Sequence, residues 1–102
     1  MPDADADAVV RELRDRITEN DHLLLEAVNR RLELVARLKA HKEAAGLSFL
    51  DRGRERRIME ELLAANTGPL SSEGLRSLFA AVLELTKREL EEGDGAAERG
   101  SA

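Results

Sequence analysis

The sequence has no cysteine, tryptophan or tyrosine, only two prolines, and no excess of positive charge. Without cysteine there is no disulfide, no thiolate nucleophile and no thiolate metal site, a usage that fits a reducing compartment. Aromatic residues make up 2% against 36% charged, a balance typical of helical bundles and poor for the base-stacking surfaces that bind nucleic acid. The formal net charge of −5 opposes binding to nucleic acid or to an anionic membrane, so any cationic site must be a local pocket. No apolar run reaches the length of a signal-peptide core or a membrane span, and the chain is expected to be soluble and cytoplasmic. A Gly-rich phosphate loop, a metal-binding histidine pair and a Ser, His and Asp set are also missing. His22 and His41 are isolated and expected to be exposed, which argues against ordinary hydrolase and metalloenzyme chemistry; neither a metal nor a cofactor is expected.

What is present is an unbroken helical stretch. From about Ala8 to about Ala45 there is neither proline nor glycine, and Leu, Ala, Arg, Glu and Lys favour one long helix. Alternating steps of four and three from Val10 give Val10, Arg14, Ile17, Asp21, Leu24, Val28, Arg31, Val35, Leu38 and Lys42, a heptad-like seam. Two arginines, a lysine and an aspartate interrupt its apolar positions. A seam that only joined two helices would be apolar, because an unpaired charge removed from water is expensive. The seam therefore reads as lining something anionic, against the plainer alternative of flanking charges that reach into solvent from a coiled coil.

Geometry separates these cations. Arg31 and Lys42 are eleven residues apart, about 16 Å and almost three whole turns, so two long side chains can converge on one small ligand. Arg14 lies seventeen residues from Arg31, roughly 25 Å along the axis, too far to share that ligand from the same straight helix. An antiparallel helix from a second copy, related by a two-fold axis, would bring Arg14 to the site in trans. A chain of 102 residues is one domain with a small core, for which a dimer is the natural expectation.

The remaining chain divides at its turn signals. Residues 1–7 form a flexible acidic lead-in whose aspartates suit a helix N-terminus. Gly46 suits a left-handed C-cap, and Asp51 suits the N-cap of a second helix over about 51–65, with Gly53 a weak point in its first turn. Its stripe is Ile58, Met59, Leu62 and Leu63, continued toward the N-terminus by Asp51, Arg54 and Glu55. Asn66-Thr67-Gly68-Pro69 ends that helix, and Ser71 or Ser72 can cap a third over about 72–92. The third helix carries the stripe Leu75, Leu78, Phe79, Val82, Leu83, Thr86 and Leu90. Thr86 is its one hydroxyl, either offered to a ligand or bonded back to the carbonyl one turn earlier. Residues 8–92 thus form the helical domain, and the small, polar residues 93–102 suggest a disordered tail.

Taken together, Leu13-Arg14-x-x-Ile17, Asp21, Arg30-Arg31 with Leu34-Val35, Lys42, Gly46-Leu47 and Asp51-x-x-Arg54-Glu55 form an ordered set. In this order and spacing it resembles the all-α class of chorismate mutases over roughly residues 10–90. The resemblance implies an all-α fold of one long and two shorter helices, intertwined as a homodimer, that catalyses the Claisen rearrangement of chorismate to prephenate in aromatic amino acid biosynthesis. It implies that Arg31 and, from the other protomer, Arg14 hold the substrate carboxylates, with Arg54 near the ligand. Lys42 would contact the breaking ether oxygen, and Glu55 would accept a bond from the ring hydroxyl. Asp51 matches the motif aspartate at the loop end, and Thr86 falls where the third helix usually has a serine.

Two positions depart from the family pattern. Ser48 and Arg52-Gly53 replace the usual loop prolines. The glutamine that usually follows one turn after the third-helix serine is matched by Leu90, with Glu91 adjacent; either Glu91 enters the site by a small register shift, or Lys42 works without that partner. Within the same fold an isochorismate-pyruvate lyase and a mutase of 4-amino-4-deoxychorismate are alternatives, since Glu55 can pair with an amino group as readily as with a hydroxyl. From another class, a helical dimerisation module without a ligand is the alternative.

Overall fold

Three helices follow from these local signals. The computed structural model describes residues 7–100, with side chains described for 7–91: α1 is Ala8–Ala44, α2 is Arg52–Ala65 and α3 is Ser72–Gly100. There is no strand among the described residues, and the chain is all-α. The expectations for residues 1–6 and 101–102 lie outside the described residues. The chain divides into two compact units, Met1–Leu34 and Val35–Ala102.

In the first unit α1 starts at Asp7, whose Oδ1 accepts from the N–H groups of Val9 at 2.8 Å and Val10 at 3.2 Å. A carboxylate at this end also meets the positive end of the helix dipole. Along the unit two of the apolar seam residues are open to solvent, Ile17 59% and Leu24 57% exposed, while Val10 and Val28 are partly buried. An open groove on this helix is lined by Leu13, Arg16, Ile17 and Asn20. Covering a side chain of this size completely stabilises by about 1.5–3 kcal/mol.

In the second unit the end of α1 is a Schellman motif. The Leu47 N–H donates to the Lys42 carbonyl at 2.8 Å and the Gly46 N–H to the Glu43 carbonyl at 3.2 Å, with Gly46 at φ 70°. The Asp51 side chain caps α2, and Asn66 closes it, its N–H donating to the Leu62 carbonyl at 3.0 Å. Asn66 also shapes the following turn, donating from Nδ2 to the Leu70 carbonyl and accepting from the Gly68 N–H. Of the two serines that could cap α3, Ser71 does so, its Oγ accepting from the Gly74 N–H at 2.9 Å. Helix α2 packs against α3. Glu55, Ile58, Met59, Leu62 and Leu63 are partly buried along α2, and Leu75 and Thr86 are buried on α3.

The stripe of α3 and its end differ from the sequence-based expectation. On α3, Leu85 joins the partly buried stripe while Leu78 stays exposed. Helix α3 also continues past Glu92 to Gly100, through the segment whose composition suggests a tail. Gly93 and Gly95 each cost about 1 kcal/mol in a helix relative to alanine, but no proline interrupts the segment and Ala96 to Arg99 are strong helix formers.

The Schellman glycine gives a direct test. A Cβ at Gly46 would meet nothing within 4 Å, so the cost of Gly46→Ala is the left-handed backbone alone, about 1–2 kcal/mol in urea unfolding. Gly68→Ala, where the nearest atom to an added Cβ is 3.9 Å away, should leave the unfolding midpoint nearly unchanged.

Candidate functional site

The second unit gathers most of the candidate residues. Lys42 lies in the last turn of α1, and its backbone is held by the bond from Leu47 to its carbonyl. Its side chain is partly buried. Close by, Asp51 is exposed and holds the first turn of α2: its Oδ1 accepts from the Arg54 N–H at 2.9 Å and its carbonyl accepts from the Glu55 N–H at 3.2 Å. The Arg54 N–H, together with the positive charges of Arg57, Lys42 and Arg54, holds the Asp51 carboxyl below its ordinary value against a smaller effect of desolvation. Lys42 and Asp51 are therefore electrostatic neighbours, joined across the loop that Gly46 opens.

One turn into α2, the expected face splits. Glu55 is partly buried in line with Ile58, Met59, Leu62 and Leu63, whereas Arg54 is exposed. Glu55 faces α3, with its Oε1 at 3.8 Å from Lys87 Nζ. Thr86, beside Lys87, is buried, and its Oγ1 donates to the Val82 carbonyl at 2.8 Å. Of the two possibilities for this hydroxyl, the bond back along the helix is the one the structure shows. One turn further on, Leu90 is partly buried and Glu91 exposed, so the apolar residue occupies the packed face.

In the first unit Arg14 is exposed and Arg31 partly buried, and both have polar partners. His22 and His41 are exposed. Among the described residues no group of three or more His, Asp or Glu side chains is placed to hold a metal ion, and no helix is long and apolar enough to cross a membrane.

Lys87 and Arg57 are the charged groups here that motif spacing missed. A signal for Lys87 was available, since it stands one turn after Leu83 and nearly one before Leu90, a cation at the edge of an apolar stripe. That criterion singles out Arg31 and Lys42 on the first helix, and it applies equally to the third. Arg57 had no comparable signal, because its effect on Asp51 depends on the wrap of the first turn of α2.

An all-α chain in which one helix presents a partly buried lysine to the acidic cap of the next defines a small helical protein with a local cationic site. A profile of the family described as chorismate mutase type II matches residues 13–91, and the chain belongs to that family. Its function is accordingly of the chorismate mutase type, and the family implies a chorismate-like substrate. Comparison with curated proteins and with solved structures gave no match.

The Asp51 carboxylate yields a pH prediction. Its folded-state pKa is depressed, so its ionisation stabilises the fold above the ordinary value of 3.8 and that contribution is lost as pH falls through the lower folded value. Asp51→Asn retains a cap without the charge. Thermal unfolding should show the variant less stable than wild type at neutral pH, with the gap closing in acid; a gap that persists at the lowest pH would assign the effect to something other than ionisation.

Proposed function

We propose that the chain is a chorismate mutase that rearranges chorismate to prephenate in the cytoplasm, at a site shared between two copies of the chain. The observation that carries this reading is the extent of the family match, since residues 13–91 include every candidate position from Arg14 to Glu91. The partial burial of Arg31 and Lys42 supports it, as does the exposed apolar face of the first unit, which a partner helix would cover.

The reaction is unimolecular and pericyclic. The ether C–O bond breaks as a C–C bond forms, with no nucleophile and no net proton transfer. The protein therefore has two tasks, to fold the substrate into its reactive conformer and to stabilise the charge that develops on the ether oxygen. Arginine suits the first, because a guanidinium grips a carboxylate through two parallel bonds and the substrate has two carboxylates. In this reading Arg31 and Arg14 of the partner subunit hold them, with Arg54 at the rim. Lys42 serves the second task. A partly buried lysine fixed beside the ether oxygen stabilises the charge that appears there in the transition state more than the neutral ground state. Glu55 accepts a hydrogen bond from the ring hydroxyl. Asp51 acts through the turn it caps, placing Arg54 and Glu55.

Removing one preorganised donor of this kind typically costs about 2.7–4 kcal/mol, so Lys42→Ala should lose roughly a hundredfold or more in kcat on chorismate while keeping its helical circular dichroism. Unchanged kcat in that variant would remove Lys42 from the mechanism. Wild-type protein that converts no chorismate and binds none by calorimetry would favour the ligand-free dimerisation module.

A further inference from the structure

We propose that Lys87 is a specificity-determining residue, which by pairing with Glu55 makes the site accept a neutral ring hydroxyl and reject a ring ammonium. The inference rests on the reading of Glu55 as the acceptor for the ring substituent, and it settles which substituent that carboxylate is built for.

The observation is the approach of Lys87 Nζ to Glu55 Oε1 at 3.8 Å. The two side chains come from different helices and meet because α2 packs on α3. A carboxylate has two oxygens, so with Oε1 toward the ammonium the other can accept a hydrogen bond from a hydroxyl. Charge decides the rest. The Glu55 and Lys87 pair is neutral, and a hydroxyl leaves it so. An ammonium in the same place would set two cations against one carboxylate, and the repulsion from Lys87 offsets the attraction to Glu55. Among the described residues of α3 no second anion lies on the packed face: Thr86 donates its hydroxyl hydrogen to Val82, Leu90 is apolar, and Glu84, Glu89 and Glu91 are exposed. The Lys87 side chain is 45% and that of Glu55 35% exposed, so the pair can stay in place while the second carboxylate oxygen remains open to a ligand.

The test is the ratio of kcat/KM on 4-amino-4-deoxychorismate to that on chorismate, measured on the full chain and on Lys87→Met and Lys87→Arg. Lys87 is exposed enough for Met to be tolerated, and circular dichroism and a melting curve check the fold. Wild type and Lys87→Arg should favour chorismate, and Lys87→Met should raise the ratio by about threefold or more, since it removes a partly screened unit charge next to the acceptor. An unchanged ratio in Lys87→Met with chorismate turnover intact would overturn the role of Lys87 and leave the proposed function standing. Equal loss of both activities would make Lys87 a general binding group and also overturn its assignment to specificity. If the wild-type protein turned over neither substrate, the functional reading itself would fail, and the inference with it.

Discussion

A cation drawn partly out of water needs an anion within a few ångströms or it bears a desolvation penalty, and this constraint runs through the structure. Lys42 is partly buried and acts electrostatically on Asp51; Lys87 meets Glu55; Arg31 is partly buried and partnered. The chain as a whole carries a net charge of −5, yet Lys42, Arg54 and Arg57 all act on Asp51, so the positive charge here is a local concentration. Asp51 is exposed, which screens its hold on Lys42, and its carboxylate is already bonded to the Arg54 N–H.

The backbone around that lysine shows how local chemistry positions it. Gly46 adopts the left-handed conformation that L side chains avoid, the Leu47 N–H turns back to the Lys42 carbonyl, and five residues later Asp51 opens the next helix. Two residues of permissive or capping type therefore set the approach of Lys42 to the first turn of α2. The fold asks little of the core here. Leu75 is the buried hydrophobic residue among those described, and in the first unit Ile17 and Leu24 are exposed.

What could be read from the sequence was whatever depends on neighbours in the chain. Asp7, Gly46, Asp51, Asn66 and Ser71 bracket the helices because caps and turns are made within a few residues, and the backbone bonds at these positions are the ones their side-chain chemistry predicts. Thr86 was ambiguous for the same reason: both of its outcomes use local geometry, and burial selected the bond to Val82. The pairing of Glu55 with Lys87 was hidden because it depends on the register of α2 against α3, which apolar stripes specify only to within a turn. The split between Glu55 and Arg54 was hidden likewise, since adjacent residues on a helix differ by about 100° and a stripe drawn from four apolar residues is wider than that. The roles expected of Arg14 and Arg31 rest on helix rise and on the family's residue order, not on contacts between neighbours in the chain.

The central claim is that a dicarboxylate is held by arginines from two chains, and mixing two crippled variants tests it most directly. Arg14→Ala and Lys42→Ala should each be nearly inactive alone. If Arg14 serves the site of the other copy, co-refolding the two in equal amounts creates mixed dimers in which one site carries both defects and the other carries none, and random pairing restores about a quarter of wild-type chorismate turnover. If the mixture stays as inactive as its components while native mass spectrometry shows that mixed dimers have formed, Arg14 acts within its own chain or not at all, and the two-chain site is contradicted.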